Sequence, residues 1–462
     1  MSATSALRAV PRPTAPDTPG PDPARARLEL LFDPGTLRPW RSAVGDGVVA
    51  GSGRIGGRLA FAWAQDGGHR GGSLGAAGGD TIARTIARAD AAGAPVVGFP
   101  HSGGARLQEG VAALTAYAAI FAAQTHARVP QLSIVAGACA GGAAYSTALG
   151  DLTIMAGPEA RLFLTGPRVV ERVTRERIDA DALGGPGVHR HNGVAHLVAA
   201  DEAGAAALAR AALAHLPGRE GESLPLGASR PAPPGDPAGP VPAESRRVYD
   251  VRDVAERLVD GGALLELAPR WARNLVVAFA RIGGTPVGVI ANQPRHLGGC
   301  LDAAASEKGA WFVELCDRFG LPLVVLVDTP GFLPGARQER QAIIRHGASL
   351  VAAFTRATVP RVTVTLRQAY GGAHIVMNSR DLGADLTLAW PDAAIGVMGA
   401  RQAVEVVERR ALAAGADADA LADRYAEEHL PVGVAAAGGF VDEVVEPADT
   451  RDRVVEVLER AR

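Results

Sequence analysis

Two glycine pairs carry the chemistry this sequence suggests first. Gly141-Gly142-Ala143 follows the apolar run Leu132 to Ala136, and Gly371-Gly372-Ala373 follows Val362 to Leu366. Each run starts at a Val-Pro pair, Val129-Pro130 or Val359-Pro360, and each triplet begins at the same distance from its proline. Gly104-Ala105-Arg106-Leu107-Gln108-Glu109 upstream of the first, and Gly335-Ala336-Arg337-Gln338-Glu339 upstream of the second, read as a further echo. One unit has been used twice. A strand that runs into Gly-Gly and then a helix leaves the first helical N–H groups without intrahelical partners. Glycine lets a ligand approach them, and the helix dipole favours anionic oxygen there. A phosphate cradle would add the Lys and Ser/Thr of a Walker loop or a GxGxxG fingerprint, and neither is present. An oxyanion hole needs only the donors, each worth roughly 3 kcal/mol of transition-state stabilisation. The bland alternative is that the glycines merely let strand and helix pack closely; retention of the spacing in both copies favours a ligand. Ser146, Cys139 and His374 stand nearby, but no base accompanies them and they read as structural. Enolate formation beside a thioester suits these residues better than acyl-enzyme chemistry.

The elements that must position the glycines alternate as βαβα, which predicts an α/β layer fold with strands in the middle. At 462 residues the chain exceeds one core. Four segments are expected: a disordered Pro-rich tail over 1–27, a first domain over 28–216, a Pro/Gly-rich linker over 217–247 and a second domain over 248–462. In the first domain a helix is expected from Asp80, as N-cap, to Ala92, and another over 111–127. In the second, helices are expected over 303–319 and 338–357. A net charge of -2 removes the electrostatic footprint of a nucleic-acid binder. Three cysteines without CxxC spacing argue against a disulfide frame or a zinc site, so no metal is expected. Lacking an apolar signal core or a long apolar run, the sequence reads as cytoplasmic, with no membrane span. Lys308 is the only lysine among 47 basic residues.

Longer stretches carry a resemblance. RGGSLG (70–75), SGGARLQEGV (102–111), the run 129–151 around the first triplet, YDVRDV (249–254), the run 291–335 and the run 367–400 around the second triplet occur in family order from about Leu28 onward. The chain thereby resembles the carboxyltransferase (β-type) subunit of biotin-dependent acyl-CoA carboxylases, in which two crotonase-like (ββα-spiral) domains are fused. That resemblance implies an enzyme moving CO2 from carboxybiotin to the α-carbon of an acyl-CoA. Gly141 and Gly142 would hold the thioester enolate, and Gly372 and Ala373 the ureido oxygen of biotin. Gly72, Ser73, Gly104, Ala105, Arg106, Tyr145 and Lys308 would contact substrate, and Ile375 would line the acyl pocket. No biotin-acceptor Met-Lys-Met or ATP-grasp segment is present, so carboxybiotin would arrive in trans on a biotin carboxyl carrier protein served by a separate biotin carboxylase subunit. The site would lie between the first domain of one protomer and the second of another, in a dimer or a trimer of dimers.

Departures accompany the match. His101 stands where the family has Asp, Gln65 to His69 replace an acidic-aromatic pair, the lysine expected near Asp80 is absent, and Leu366-Arg367-Gln368 replaces a Thr-Arg-Lys. These changes suggest a specialised member. The same residues fit biotin-dependent decarboxylases and transcarboxylases, or a non-catalytic thioester-binding subunit.

Overall fold

The computed structural model describes residues 22–244 and 247–460. Residues 1–21, most of the expected tail, lie outside them. Pro23–Leu31 is a helix with proline at its start and the Asp22 carboxylate accepting from the Ala24 and Arg25 N–H groups. Its Ala24 is fully buried and its Arg27 donates to Glu202 and the Gln65 carbonyl, so residues 22–27 belong to the folded body and not to a tail.

In the first half, β1 (Arg38–Trp40), β2 (Val48–Ile55), β3 (Arg58–Gln65), β4 (Val96–Phe99), β5 (Gln131–Val135), β6 (Ala138–Ala140), β7 (Leu152–Ala156), β8 (Arg161–Phe163) and β9 (Leu197–Ala199) follow one another. Seven form a sheet in the order β1-β2-β3-β4-β5-β7-β9, antiparallel through β3 and parallel thereafter; β6 pairs with β8 apart from it. The second half repeats this with β10 (Leu265–Leu267), β11 (Leu275–Ile282), β12 (Thr285–Asn292), β13 (Leu323–Thr329), β14 (Arg361–Tyr370), β15 (Leu386–Ala389), β16 (Ala394–Gly396) and β17 (Glu443–Val444). Here β14 runs through what β5 and β6 divide, and its last residues pair with β16. Strands β4, β5, β7 and β13 are buried along their whole length and mostly apolar, as parallel strands covered on both faces are.

Two helix boundaries differ from expectation. The helix expected to start at Asp80 is Ala76–Ala91; the Ala-Ala-Gly-Gly stretch reads locally as loop, but the Glu109 carboxylate accepts the Ala76 N–H at 2.6 Å and caps it from a distance in sequence. Asp80 instead pairs with Arg84 and Arg41. The helix expected over 338–357 is two, Ala336–Arg340 and Ile343–Arg356, broken at Ala342 with φ 57°.

The halves share one core. Leu197, Leu213 and Leu216 of the first belong to the same apolar cluster as Phe279 and Phe312 of the second. His196 stacks on Trp311 with ring centroids 4.3 Å apart, and Arg318 reaches across to Asp151, Glu220 and the Ala127 carbonyl. Residues 217–244 run without helix or strand along both halves, tied by Arg281 to the Pro225 carbonyl and by the Gly227 N–H to the Gly284 carbonyl.

Candidate active site

Three loops meet at the first glycine pair. Strand β6 leads into Gly141, whose φ of 63° and ψ of -127° turn the chain into the helix Gly142–Ala148. Beside it runs the loop 102–106: the Ser102 N–H donates to the Ala138 carbonyl and the Ala140 N–H to the Ser102 carbonyl. A third loop, 69–75, bonds to that one through the Leu74 N–H to the Gly104 carbonyl and the Arg106 N–H to the Leu74 carbonyl. Tyr117 and Ser102 share a hydroxyl hydrogen bond of 3.1 Å, and the Ser102 hydroxyl accepts from the Gly104 N–H, which locks the middle loop. Gly72 (φ 69°) crosses so close to the His101 carbonyl that a Cβ would come within 2.6 Å of it. Arg70, Ser73, Gly103, Ala105 and Leu107 line a cleft of about 740 Å³ where these loops meet.

The donors are one residue further on than the sequence suggests. The Gly141 N–H is spent on the Phe163 and Leu164 carbonyls, 3.3 and 3.1 Å away. Among the described residues the N–H groups of Gly142, Ala143 and Ala105 have no partner, and these are the groups free to hold an oxyanion. At the second triplet Gly372 and Ala373 are unpaired as expected, and Gly371, with φ 59°, is the counterpart of Gly141. The counterpart of Gly104-Ala105 is Gly331-Phe332 and not the expected Gly335-Ala336. The Leu301 N–H donates to the Gly331 carbonyl and the Leu333 N–H to the Leu301 carbonyl, the same two bonds that Leu74 makes in the first half. Phe332 therefore presents the N–H equivalent to that of Ala105. Further pairs keep the same offset in residue number. Gly72 matches Gly299, whose Cβ would lie 2.4 Å from the Asp328 carbonyl, and the N–H groups of His101 and Asp328 donate to the side-chain carbonyls of Gln65 and Asn292, both at 3.3 Å. His101 is thus the first-half counterpart of Asp328. Its larger ring fits because Gly67 and Gly137 flank it; a Cβ on either would come within 2.5 Å of the imidazole.

Two expected substrate contacts are structural instead. Arg106 is buried, with Nη1 on Asp46 and Glu109 at 2.5 and 2.7 Å and Nη2 on the Ser73 carbonyl at 2.8 Å. It clamps the loops together and does not face a ligand. Lys308 is fully buried, and its Nζ donates to the carbonyls of Ala268, Trp271 and Leu275 at 3.1, 3.0 and 2.7 Å. An ammonium has three N–H donors, and all are spent inside the fold. Cys139 is buried, and burial pushes its thiol up to about 12, far from a reactive thiolate. Tyr145 and Ile375 occupy equivalent places on the two helices that follow the triplets, both open to solvent at 55% and 51%. Among the described residues no cluster of His, Cys, Asp or Glu is arranged to hold a metal, and no helix is long and apolar enough to cross a membrane.

The two glycine pairs differ in what surrounds them. A Cβ at Gly142 would meet the Tyr117 ring at 2.7 Å, whereas at Gly372 it would make an ordinary 3.6 Å contact with Phe332. Gly142→Ala is therefore expected to destabilise by about 1–3 kcal/mol through overpacking, and Gly372→Ala by much less. Urea denaturation of the two variants checks this; equal midpoints would contradict it.

The carboxyl transferase domain model matches residues 22–461. The chain is 43% identical to a propionyl-CoA carboxylase beta chain of Saccharopolyspora erythraea, covering 94% of this chain and 86% of that one. It is 42% identical to the methylmalonyl-CoA decarboxylase subunit alpha of Veillonella parvula, covering 94% and 89%. A transcarboxylase 12S crystal structure, described as a hexamer with methylmalonyl-coenzyme A and methylmalonic acid bound, superposes with a TM-score of 0.90 at 43% identity, covering 95% of this chain and 89% of that one.

Proposed function

The chain belongs to the carboxyl transferase domain family, and from that premise we propose that it moves CO2 between a carboxybiotin on a separate carrier protein and the α-carbon of an acyl-CoA. It is an α/β enzyme built from the crotonase-like fold used twice. The observation that carries the reading is the pair of equivalent loop sets, one offering the N–H groups of Ala105, Gly142 and Ala143 and the other those of Phe332, Gly372 and Ala373. The first set would hold the thioester oxygen as it gains charge on enolate formation; the second would hold the ureido oxygen of biotin. Biotin, when bound, supplies the carboxyl group and a ring nitrogen able to take the α-proton, which fits a site whose Cys139 and Ser146 are both buried. What this chain contributes is fixed donors that need no reorganisation as charge develops.

Exposed apolar side chains surround both loop sets: Leu107, Val111 and Leu114 near the first, Ile344, Ile375 and Val397 near the second. Such patches suit burial against another copy, so that the first loop set of one protomer faces the second of its partner, with Ile375 against the acyl chain. A biotin carboxylase subunit would recharge the carrier. The geometry serves carboxylation and its reverse equally. Purified protein with methylmalonyl-CoA or malonyl-CoA and free biotin should release CO2 only when biotin is present; no biotin-dependent turnover across a panel of short and medium acyl thioesters would overturn the reading.

A further inference from the structure

The second half holds a cation-rich cavity of its own. Arg252, Arg270, Arg273, Arg295 and His296 line a space of about 320 Å³ together with Asp250 and Pro269, and none of them lines the thioester cleft of the first half. Arg252 is held in a two-pronged pair by Glu266, both contacts 2.7 Å, and Arg295 reaches Asp250 at 3.3 Å. Among the described residues the guanidinium groups of Arg270 and Arg273 have no hydrogen bond or ion pair, and both residues are exposed. Positive charge is in excess: burial and then Arg273, Arg252 and Arg295 hold His296 below its ordinary value.

The loop that carries the free arginines is built at a cost. Ala268 and Ala272 both adopt left-handed backbone, φ 49° and 42°, which alanine resists by about 1 kcal/mol or more each. Lys308 holds this conformation from below through the carbonyls of Ala268, Trp271 and Leu275. The chain's only lysine is thus spent on a strained loop whose outward side chains are two unpaired arginines.

We propose that this cavity binds a phosphate or diphosphate ester. Guanidinium forks match tetrahedral oxyanions two oxygens at a time, and a multiply charged group answers two free cations better than a single carboxylate does. The space of about 320 Å³ admits a diphosphate and part of the ester group it carries. Two sources share that chemistry, a free nucleotide and the diphosphate of the coenzyme A moiety.

Calorimetric titration of the wild type with pyrophosphate and with ADP should show binding. Arg270→Ala and Arg273→Ala should each weaken it about tenfold or more, without a change in melting temperature because neither side chain has a partner to lose. If the double variant also raises KM for the acyl-CoA, the substrate's own phosphates occupy the cavity; if KM stays and only ADP binding is lost, the site is a separate nucleotide site. No heat with either ligand, or equal affinity in the double variant, would overturn the proposal. Binding is read without turnover, so failure of the carboxyl-transfer reading leaves this result distinguishable.

Discussion

Gly141→Ala should lower the rate of biotin-dependent turnover by about 10²–10³-fold while the far-ultraviolet circular dichroism stays that of the wild type. The reason is conformation and not crowding. Around a Cβ at this position the nearest atom is the Gly104 Cα at 3.8 Å, an ordinary contact. The backbone, at φ 63° and ψ -127°, sits where residues with a side chain are strained by about 1–3 kcal/mol. Relief requires rotation, and the rotation pulls the Gly141 N–H off the Phe163 and Leu164 carbonyls and re-aims the N–H groups of Gly142 and Ala143. Loss of one aimed donor accounts for the expected factor. A variant retaining activity within a few fold would place the oxyanion elsewhere.

Lys308→Met should cost about 3–5 kcal/mol of stability, because it keeps the apolar stem but strands three carbonyls in the interior. KM for the acyl-CoA should move little in whatever fraction stays folded. A lysine that anchored substrate would do the opposite, raising KM at an unchanged melting temperature. The pH dependence follows from burial, which brings the Lys308 ammonium down to about 7 from the ordinary value of 10.5. Below 7 the lysine is charged in both folded and unfolded chains. Between about 7 and 10.5 the unfolded chain keeps a proton that the folded one has released, so stability contributed at this site rises with pH across that window and then levels. The neutral amine retains two of its donors for the carbonyls. Urea denaturation at pH 6 and pH 9, wild type against Lys308→Met, should show the difference widening at the higher pH; a constant difference would contradict the burial cost.

Much of this was legible in the residues. The two Gly-Gly-Ala triplets, their Val-Pro starts and the apolar strands before them are local features, and they locate both loop sets. What local reading missed depends on contacts distant in sequence. The Gly141 N–H looked free because its acceptors, Phe163 and Leu164, lie on the far side of the helix and β7. Arg106 and Lys308 looked like ligand-binding cations because sequence shows a charge and not its burial; Asp46 and the 268–275 carbonyls claim them. Gly335-Ala336-Arg337 matches Gly104-Ala105-Arg106 in letters, whereas the bridge partners pick Gly331-Phe332. A signal for the correct pairing was present in His69-Arg70-Gly71-Gly72 and His296-Leu297-Gly298-Gly299, whose φ values repeat position by position from Arg70 and Leu297 onward. Aligning those turns first carries Ala105 onto Phe332.

In the proposed assembly, two loop sets from different protomers complete one site. The most direct measurement co-expresses Gly141→Ala carrying one affinity tag with Gly371→Ala carrying another, and assays the doubly tagged assembly. Gly371, at φ 59° with a Cβ that would lie 2.9 Å from the Val397 carbonyl, is strained by substitution just as Gly141 is. If sites form between protomers, a doubly tagged dimer holds one intact site in two and a doubly tagged trimer of dimers averages about one in four, and that share of wild-type turnover should return although each variant alone is inactive. Assemblies that carry both tags and show no recovered turnover would contradict the account.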